Sequence, residues 1–166
     1  MPLTHYSIDK RIRAGLLLFW ALYFSIIWLS NTTDALKALD LLPPNWRFVS
    51  GNFSLVSKVV GIYGSPVWLA GLMFAGVLIW EGAGAILFWK ALASTIRKTN
   101  SSRAAIYRAF SITIGLWATF IFSDEVFLAY EFPGLSSTFF SLLIAELASF
   151  ILIRQLDQEQ QRATIQ

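Results

Sequence analysis

The stretch VWLAGLMFAGVLIWEGAGAILFWKALA, residues 67–93, decides the fold of this chain. It exceeds the roughly 20 helical residues needed to cross the hydrocarbon core of a bilayer. Pro66 precedes the stretch, and proline suits the start of a helix because its missing N–H group costs nothing there. We therefore predict a membrane-spanning helix that carries an ionisable residue, Glu81, far from both of its ends.

Three further apolar runs lie at about residues 14–30, 106–122 and 136–153. They are continuous and lack the alternation of barrel strands, so they also predict helices. Of all residues, 56% are hydrophobic and only 14% are charged, against about 25% charged in a soluble domain. We predict an all-α bundle of four transmembrane helices in membrane lipid, with residues 1–166 as a single integral membrane domain.

Lysine and arginine indicate the orientation of the bundle. Three such residues belong to the side that holds the loop 31–65, and ten belong to the side that holds both ends of the chain. The ten are Lys10, Arg11, Arg13, Lys90, Arg97, Lys98, Arg103, Arg108, Arg154 and Arg162. Because cytoplasmic segments are enriched in these residues, we expect both termini, including the tail 154–166, on the cytoplasmic side of the cell membrane. The same bias accounts for the net charge of +3, so we expect no nucleic-acid partner.

The first loop, residues 31–65, is long and is not a polar linker. One apolar segment begins at Ala35, a diproline follows at Pro43 and Pro44, and residues 53–63 place apolar side chains at helical spacing. Two interpretations are open. The loop forms two short helices in the outer interface of the membrane, broken by the diproline, or it is an ordered loop that packs over the bundle.

Two glutamates occupy nearly the same inferred depth. Glu81 lies nine residues before Lys90, and Glu146 lies eight residues before Arg154, which places each carboxyl roughly 12–14 Å inside its first cation. Such groups are rare in spans and are functional candidates. If the two faced each other, one would hold a proton, and the pair would relay protons or bind a cation. The structural alternative is a hydrogen bond across helices, for which Tyr23 and Trp117 are candidate donors. A contact with a partner protein is the third possibility.

A second polar group is predicted at the outer ends of the spans. Asn31 and Asp34 close the first span, and Asp124 and Glu125 close the third. These residues form either a mouth that attracts cations or a set of helix caps, and the cap is the simpler interpretation.

Small residues recur at four-residue spacing on two spans. Ser111, Gly115 and Thr119 form one stripe, and a second consists of Ser141, Ala145 and Ser149. Small residues let helix backbones approach closely in lipid. We expect these stripes to pack the third and fourth spans together, with a homodimer contact as the alternative.

Enzyme signatures are lacking. The sequence contains no Gly-x-Ser-x-Gly, no phosphate-binding Gly-Lys-Ser/Thr, no His-Glu-x-x-His and no dinucleotide fingerprint. It has no cysteine and one histidine, which exclude disulfides, thiolate metal sites and a bis-histidine haem within one chain. We expect neither an enzyme nor a cofactor.

Several short motifs resemble a known family. Asn31-x-Thr33-Asp34, the pair Phe48-Val49 and Trp80-Glu81 look like those of a bacterial family of predicted small integral membrane proteins of unknown function. Glu125-Val-Phe-Leu-Ala-Tyr130 resembles its Glu-Trp-Phe-x-Met-Trp element, with valine and tyrosine where the family has tryptophans. Glu146 matches no motif of the family. The resemblance covers most of residues 15–150 and implies four helices in a bacterial cytoplasmic membrane, with no activity attached.

From these features we expect a non-catalytic multi-pass protein that packs against partner helices as an accessory or scaffold subunit. Its partners would be other membrane subunits or further copies of the chain. The alternative is a small oligomeric transporter or channel for protons or cations that uses Glu81 and Glu146.

Overall fold

The structure is a computed structural model that describes the backbone of residues 3–97, 99, 101–132 and 134–165. Side chains are described for residues 8–97, 99, 101–132 and 134–159. Two of the ten cations counted for orientation, Lys98 and Arg162, lie outside the described side chains, as does the end of the predicted tail.

Five α-helices account for most of the chain. They are α1 (Leu3–Ala38), α2 (Asn52–Gly61), α3 (Val67–Ile96), α4 (Ser102–Val126) and α5 (Leu135–Ile165), with a 3-10 turn at Ala129–Glu131. No strand occurs in the described part of the chain. Every helix except α2 contains a segment long and apolar enough to cross a membrane. The chain is therefore an all-α, multi-pass membrane protein with four candidate spans, as the sequence predicted.

The helices extend past the apolar runs that predicted them. The first run, residues 14–30, lies inside a helix of 36 residues, and the run 136–153 lies inside one of 31 residues. Hydropathy marks only the part of a helix that matches the hydrocarbon core, whereas backbone hydrogen bonds continue until a residue breaks them. On α1 that residue is Asp40, which has a positive φ of 58°.

The first loop contains one short helix, where we considered two. Residues 35–38 are the last turn of α1, and the diproline lies in an irregular segment between α1 and α2. Helix α2 begins after Gly51, whose φ of 77° is a conformation that favours glycine. Val59 and Val60 are buried, and α2 packs mainly against α3. The segment therefore packs over the bundle and contains one short helix, and its place in the membrane interface stays a prediction.

Aromatic rings form the centre of the bundle. Phe24 of α1 stacks on Phe88 of α3 with ring centroids 5.6 Å apart, and Phe88 meets Phe110 of α4 edge to face at 5.0 Å. Trp117 of α4 lies 5.7 Å from Phe24. Because lipid tails are as apolar as these rings, close packing rather than exclusion of water holds such a core together.

The spans pack in chain order, α1 against α3, α3 against α4 and α4 against α5. At Gly84 the helices α1, α3 and α4 leave no room for a side chain, since a Cβ atom there would lie 2.7 Å from Thr113 Cγ2 and 3.2 Å from Phe24 Cδ1. Helices α1 and α5 are joined near their charged ends by an ion pair between Arg13 and Asp157. Towards the α2 side of the bundle a cavity lies between the helices.

Candidate functional site

Glu146 is completely buried between α4 and α5. Its Oε2 atom accepts a hydrogen bond from Trp117 Nε1 at 2.5 Å, and its Oε1 atom accepts one from the hydroxyl of Thr113. Thr113 and Trp117 are four residues apart on α4 and so share one face of that helix. Both carboxyl oxygens are engaged by the neighbouring helix, which makes Glu146 a polar link between α4 and α5.

Glu81 lies at the end of a second network of hydrogen bonds. Asn31 of α1 donates from Nδ2 to both carboxyl oxygens of Glu81, each at 2.8 Å. The amide of Asn31 must present nitrogen to the carboxyl group, so its Oδ1 atom faces Asn52 of α2 and accepts a bond of 2.8 Å from Asn52 Nδ2. Three helices thereby meet at Asn31, and Glu81 is only 3% exposed.

The two glutamates are not hydrogen-bonded to each other. Each has its own partners, Asn31 for Glu81 and the pair Thr113 and Trp117 for Glu146. They lie at a similar level of the bundle, because Thr113 also meets Gly84, three residues after Glu81 on α3. Each carboxyl therefore forms its own interhelical contact, and no shared proton links them.

A cavity of about 810 Å³ opens beside Glu81 and not beside Glu146. All five helices line it, and Glu81, Asn31 and Tyr23 are on its wall. Thr119 and Thr138 also line it and are exposed, so the cavity communicates with the surface. Its size is within the range of about 300–1,000 Å³ typical of small-molecule sites.

The predicted outer-end group separates into different contacts. Asp34 is buried, and its Oδ2 atom accepts bonds from the backbone N–H of Phe53 at 2.8 Å and from the hydroxyl of Ser50 at 3.1 Å. A carboxylate at the start of a helix satisfies its free N–H groups and interacts favourably with the helix dipole. Asp34 thus caps α2, which is the simpler of the two interpretations.

Asp124 and Glu125 differ in their surroundings although they are adjacent in sequence. Asp124 is buried, and its Oδ2 atom accepts a 2.9 Å bond from Ser136 in the first turn of α5. Glu125 is exposed and accepts a 2.6 Å bond from the hydroxyl of Tyr130, which raises the pKa of Tyr130. Asp124 joins two helix ends, and the four residues Asn31, Asp34, Asp124 and Glu125 share no common contact.

The small-residue stripes do not form the contact between α4 and α5. Ser111, Thr119, Ser141 and Ala145 are exposed, while Gly115 and Ser149 are partly buried. Besides the hydrogen bonds to Glu146, the contact includes four ring pairs, with centroid distances between 4.8 and 6.4 Å. The pairs are Tyr107–Phe150, Phe110–Phe150, Trp117–Phe139 and Phe120–Phe139. Gly115 faces α3, where its Cβ position lies 3.4 Å from the ring of Trp80.

Sequence reasoning identified the two glutamates but missed most of their partners. Trp117 was expected as a donor, but Thr113 and Asn52 were not considered, and Asn31 was assigned to the outer ends. Tyr23 has no hydrogen bond among the described residues and lies on the cavity wall. Thr113 was identifiable from its spacing of four residues before Trp117.

The chemistry available to the site is that of carboxyl, amide and hydroxyl groups. Among the described residues no group of three or more His, Cys, Asp or Glu side chains lies close enough to hold a metal ion. Comparison with protein families, with curated proteins and with solved structures finds no match to this chain. The functional argument therefore rests on the geometry of the two glutamates, the cavity and the exposed faces of the helices.

Proposed function

We propose that the chain is a non-catalytic protein of the cytoplasmic membrane that acts as an accessory or scaffold subunit, packing against the helices of a larger membrane complex. Both chain ends would lie in the cytoplasm, as the distribution of lysine and arginine indicates. The resemblance to the bacterial family supports the choice of membrane.

The observation that carries this proposal is the exposed small-residue face of α5. Ser141 and Ala145 lie one turn apart, and both are exposed, although small residues at this spacing suit close helix contact. Neither residue takes part in the ring pairs that join α5 to α4. A partner helix could approach the backbone of α5 closely at this face, because neither side chain is larger than that of serine.

The intramembrane carboxyls support the same proposal. Glu146 is fully buried, and both of its oxygens are occupied by α4, so it has no surface to offer a substrate or an ion. Its role is to stabilise the bundle, as polar groups between spans commonly do. A transport pathway through a pair of glutamates would require both Glu81 and Glu146. Glu146 does not serve it, because its carboxyl group holds α4 and α5 together.

Bulky substitution on the α5 face tests the proposal. Ala145→Leu should reduce the amount of partner polypeptide that co-purifies in stoichiometric ratio with the chain, because the added side chain prevents close approach of a helix. The matched control is Ala75→Leu, which adds the same atoms at an exposed position of α3. Equal partner recovery from both variants and from the unmodified chain would show that this face is not an interface.

One observation favours a second function, transport of protons or cations. Glu81 lies on the wall of a cavity that reaches the surface, as a transport residue would. Glu81→Gln separates the two functions, since the amide preserves the shape of the carboxyl group and removes its charge. An accessory subunit with this change should still assemble with its partners. A transporter reconstituted in vesicles should lose flux completely.

A further inference from the structure

The cavity beside Glu81 has a chemical character that the accessory role does not use. Its wall includes eight aromatic residues. They include Tyr23, Trp80 and Trp117. The charged residues on it are Glu81 and Asp124, and no lysine or arginine is found among its described lining residues. The cavity therefore combines an apolar, aromatic surface with two acidic side chains.

Glu81 retains hydrogen-bonding capacity towards this space. A carboxylate offers about four acceptor positions on its two oxygens, and the amide group of Asn31 is its only donor among the described residues. Only 3% of Glu81 is exposed, so the cavity borders it over a small part of its surface, and a ligand charge placed there would be largely removed from water. The hydroxyl of Tyr23, on the same wall, also has no hydrogen-bond partner in the described part of the chain.

The two tryptophans on the wall are held in fixed positions. Trp80 Nε1 donates to the carbonyl oxygen of Ile112 at 2.8 Å, and Trp117 Nε1 donates to Glu146 at 2.5 Å. Both rings are therefore in place before any ligand enters, which reduces the entropy that binding must overcome. Aromatic faces attract cations, and tryptophan does so most strongly.

We propose that this cavity binds a lipophilic organic cation, a molecule with an apolar body and one positive charge, with Glu81 as the counter-ion. The apolar body would lie against the aromatic wall, and the charge would lie beside the carboxyl group of Glu81. An anion of the same shape would meet two acids and no compensating base. The binding site belongs to the chain itself and does not depend on a partner protein.

Calorimetric titration of the purified full chain in detergent tests this inference, with tetraphenylphosphonium as the probe and protein-free micelles as the blank. Tetraphenylborate, an anion of nearly the same size and shape, is the matched ligand. We expect saturable binding of the phosphonium and none of the borate. Glu81→Gln should weaken phosphonium binding by about 30-fold or more, since it removes one partner of a buried charge pair. Glu125→Gln, at an exposed acid that does not line the cavity, should bind as the unmodified chain does.

A second pair of variants keeps Glu81 intact. Gly76 lines the cavity, and nothing lies within 4 Å of its Cβ position, so Gly76→Leu should fill part of the space and weaken binding. Gly71→Leu makes the same change at an equally open position of α3 that does not line the cavity, and binding should persist. Equal binding of the two ions, or unchanged binding by Glu81→Gln, would overturn the inference. A neutral lipid that co-purifies with the chain and is not displaced by the phosphonium would overturn it as well.

The outcome is independent of the proposed accessory role. A chain that binds the phosphonium but has no partner polypeptide would retain this inference and lose the proposed function. A chain with stoichiometric partners and no phosphonium binding would do the reverse.

Discussion

Glu146 illustrates how a carboxyl group is accommodated far from water. Trp117 donates to one of its oxygens, and Thr113 contacts the other while its hydroxyl lies 2.9 Å from the carbonyl oxygen of Ala109. A glutamine amide fits the same site, because its oxygen accepts from Trp117 and its nitrogen donates to the hydroxyl of Thr113. A leucine side chain fills similar space but has no acceptor, so it leaves the indole N–H of Trp117 without a hydrogen bond.

We therefore expect Glu146→Gln to retain the stability of the bundle and Glu146→Leu to lower its free energy of unfolding by about 1–3 kcal/mol, the cost of an unsatisfied buried donor. Reversible unfolding in mixed detergent micelles measures both variants against the unmodified chain. A Gln variant as unstable as the Leu variant would show that the negative charge, and not the hydrogen bonds, matters at this position.

The sequence was informative about the depth of single residues but not about their neighbours. Counting from basic anchors predicted that Glu81 and Glu146 lie deep inside spans, and both residues belong to candidate spans. It did not pair Glu81 with Asn31, because that contact depends on how far α1 continues past its apolar run and on the rotation of α3. Packing against neighbouring helices sets the rotation of a helix about its own axis. Hydropathy does not predict this rotation.

At the scale of elements, Gly84 is a position at which α1, α3 and α4 leave no room for a side chain. At Gly84 a Cβ atom would lie only 2.7 Å from the methyl group of Thr113, closer than such atoms approach each other. The same threonine holds Glu146, so a displacement of α4 at this level would also strain the link to α5.

Gly84→Ala should destabilise the bundle by about 1–3 kcal/mol, the usual range for forcing an extra methyl group into a packed interior. Gly76→Ala is the control on the same helix, since its Cβ position is open. That variant should be neutral or slightly stabilising, because alanine is preferred to glycine in helices by up to about 1 kcal/mol. Thermal unfolding followed by circular dichroism compares the two. Equal melting temperatures would mean that α4 moves aside without cost.

The first loop shows which structural features helical spacing in a sequence predicts and which it does not. Helical spacing in residues 53–63 correctly indicated α2, since Val59 and Val60 are its buried side. The segment from Ala35 also has helical character, but it continues α1 and is not a separate helix. The loop between them is held by Lys37, Asp34 and Thr33 through bonds to residues 46, 48, 50 and 53. Such side-chain contacts with an irregular backbone have no periodic signature in a sequence.

At the scale of the whole molecule, four candidate spans predict that both ends of the chain lie on one side of a membrane. Lysine and arginine predict that this side is the cytoplasm. The natural chain has no cysteine, so a single introduced thiol reports its side without background. In intact cells a membrane-impermeant maleimide should label Asn45→Cys, in the first loop, and should not label Ser101→Cys, between α3 and α4, until the cells are opened. The reverse pattern would invert the orientation.

The composition of the chain and its apolar runs were sufficient to predict the four spans, because crossing a bilayer imposes length and hydropathy on every helix. The cavity was not predictable, since it forms from residues of all five helices that are distant in sequence. The contact partner of the small-residue stripes was not predictable either. Spacing identifies a face that permits close contact, but it does not say whether the contact is within the chain or with another protein.

The accessory role is the central claim, and native mass spectrometry of the protein extracted gently from its own membrane tests it most directly. We predict a defined mass well above the 18.7 kDa of the chain, with other polypeptides present in fixed ratio. A lone chain, or an assembly of copies of this chain only, would contradict the accessory role.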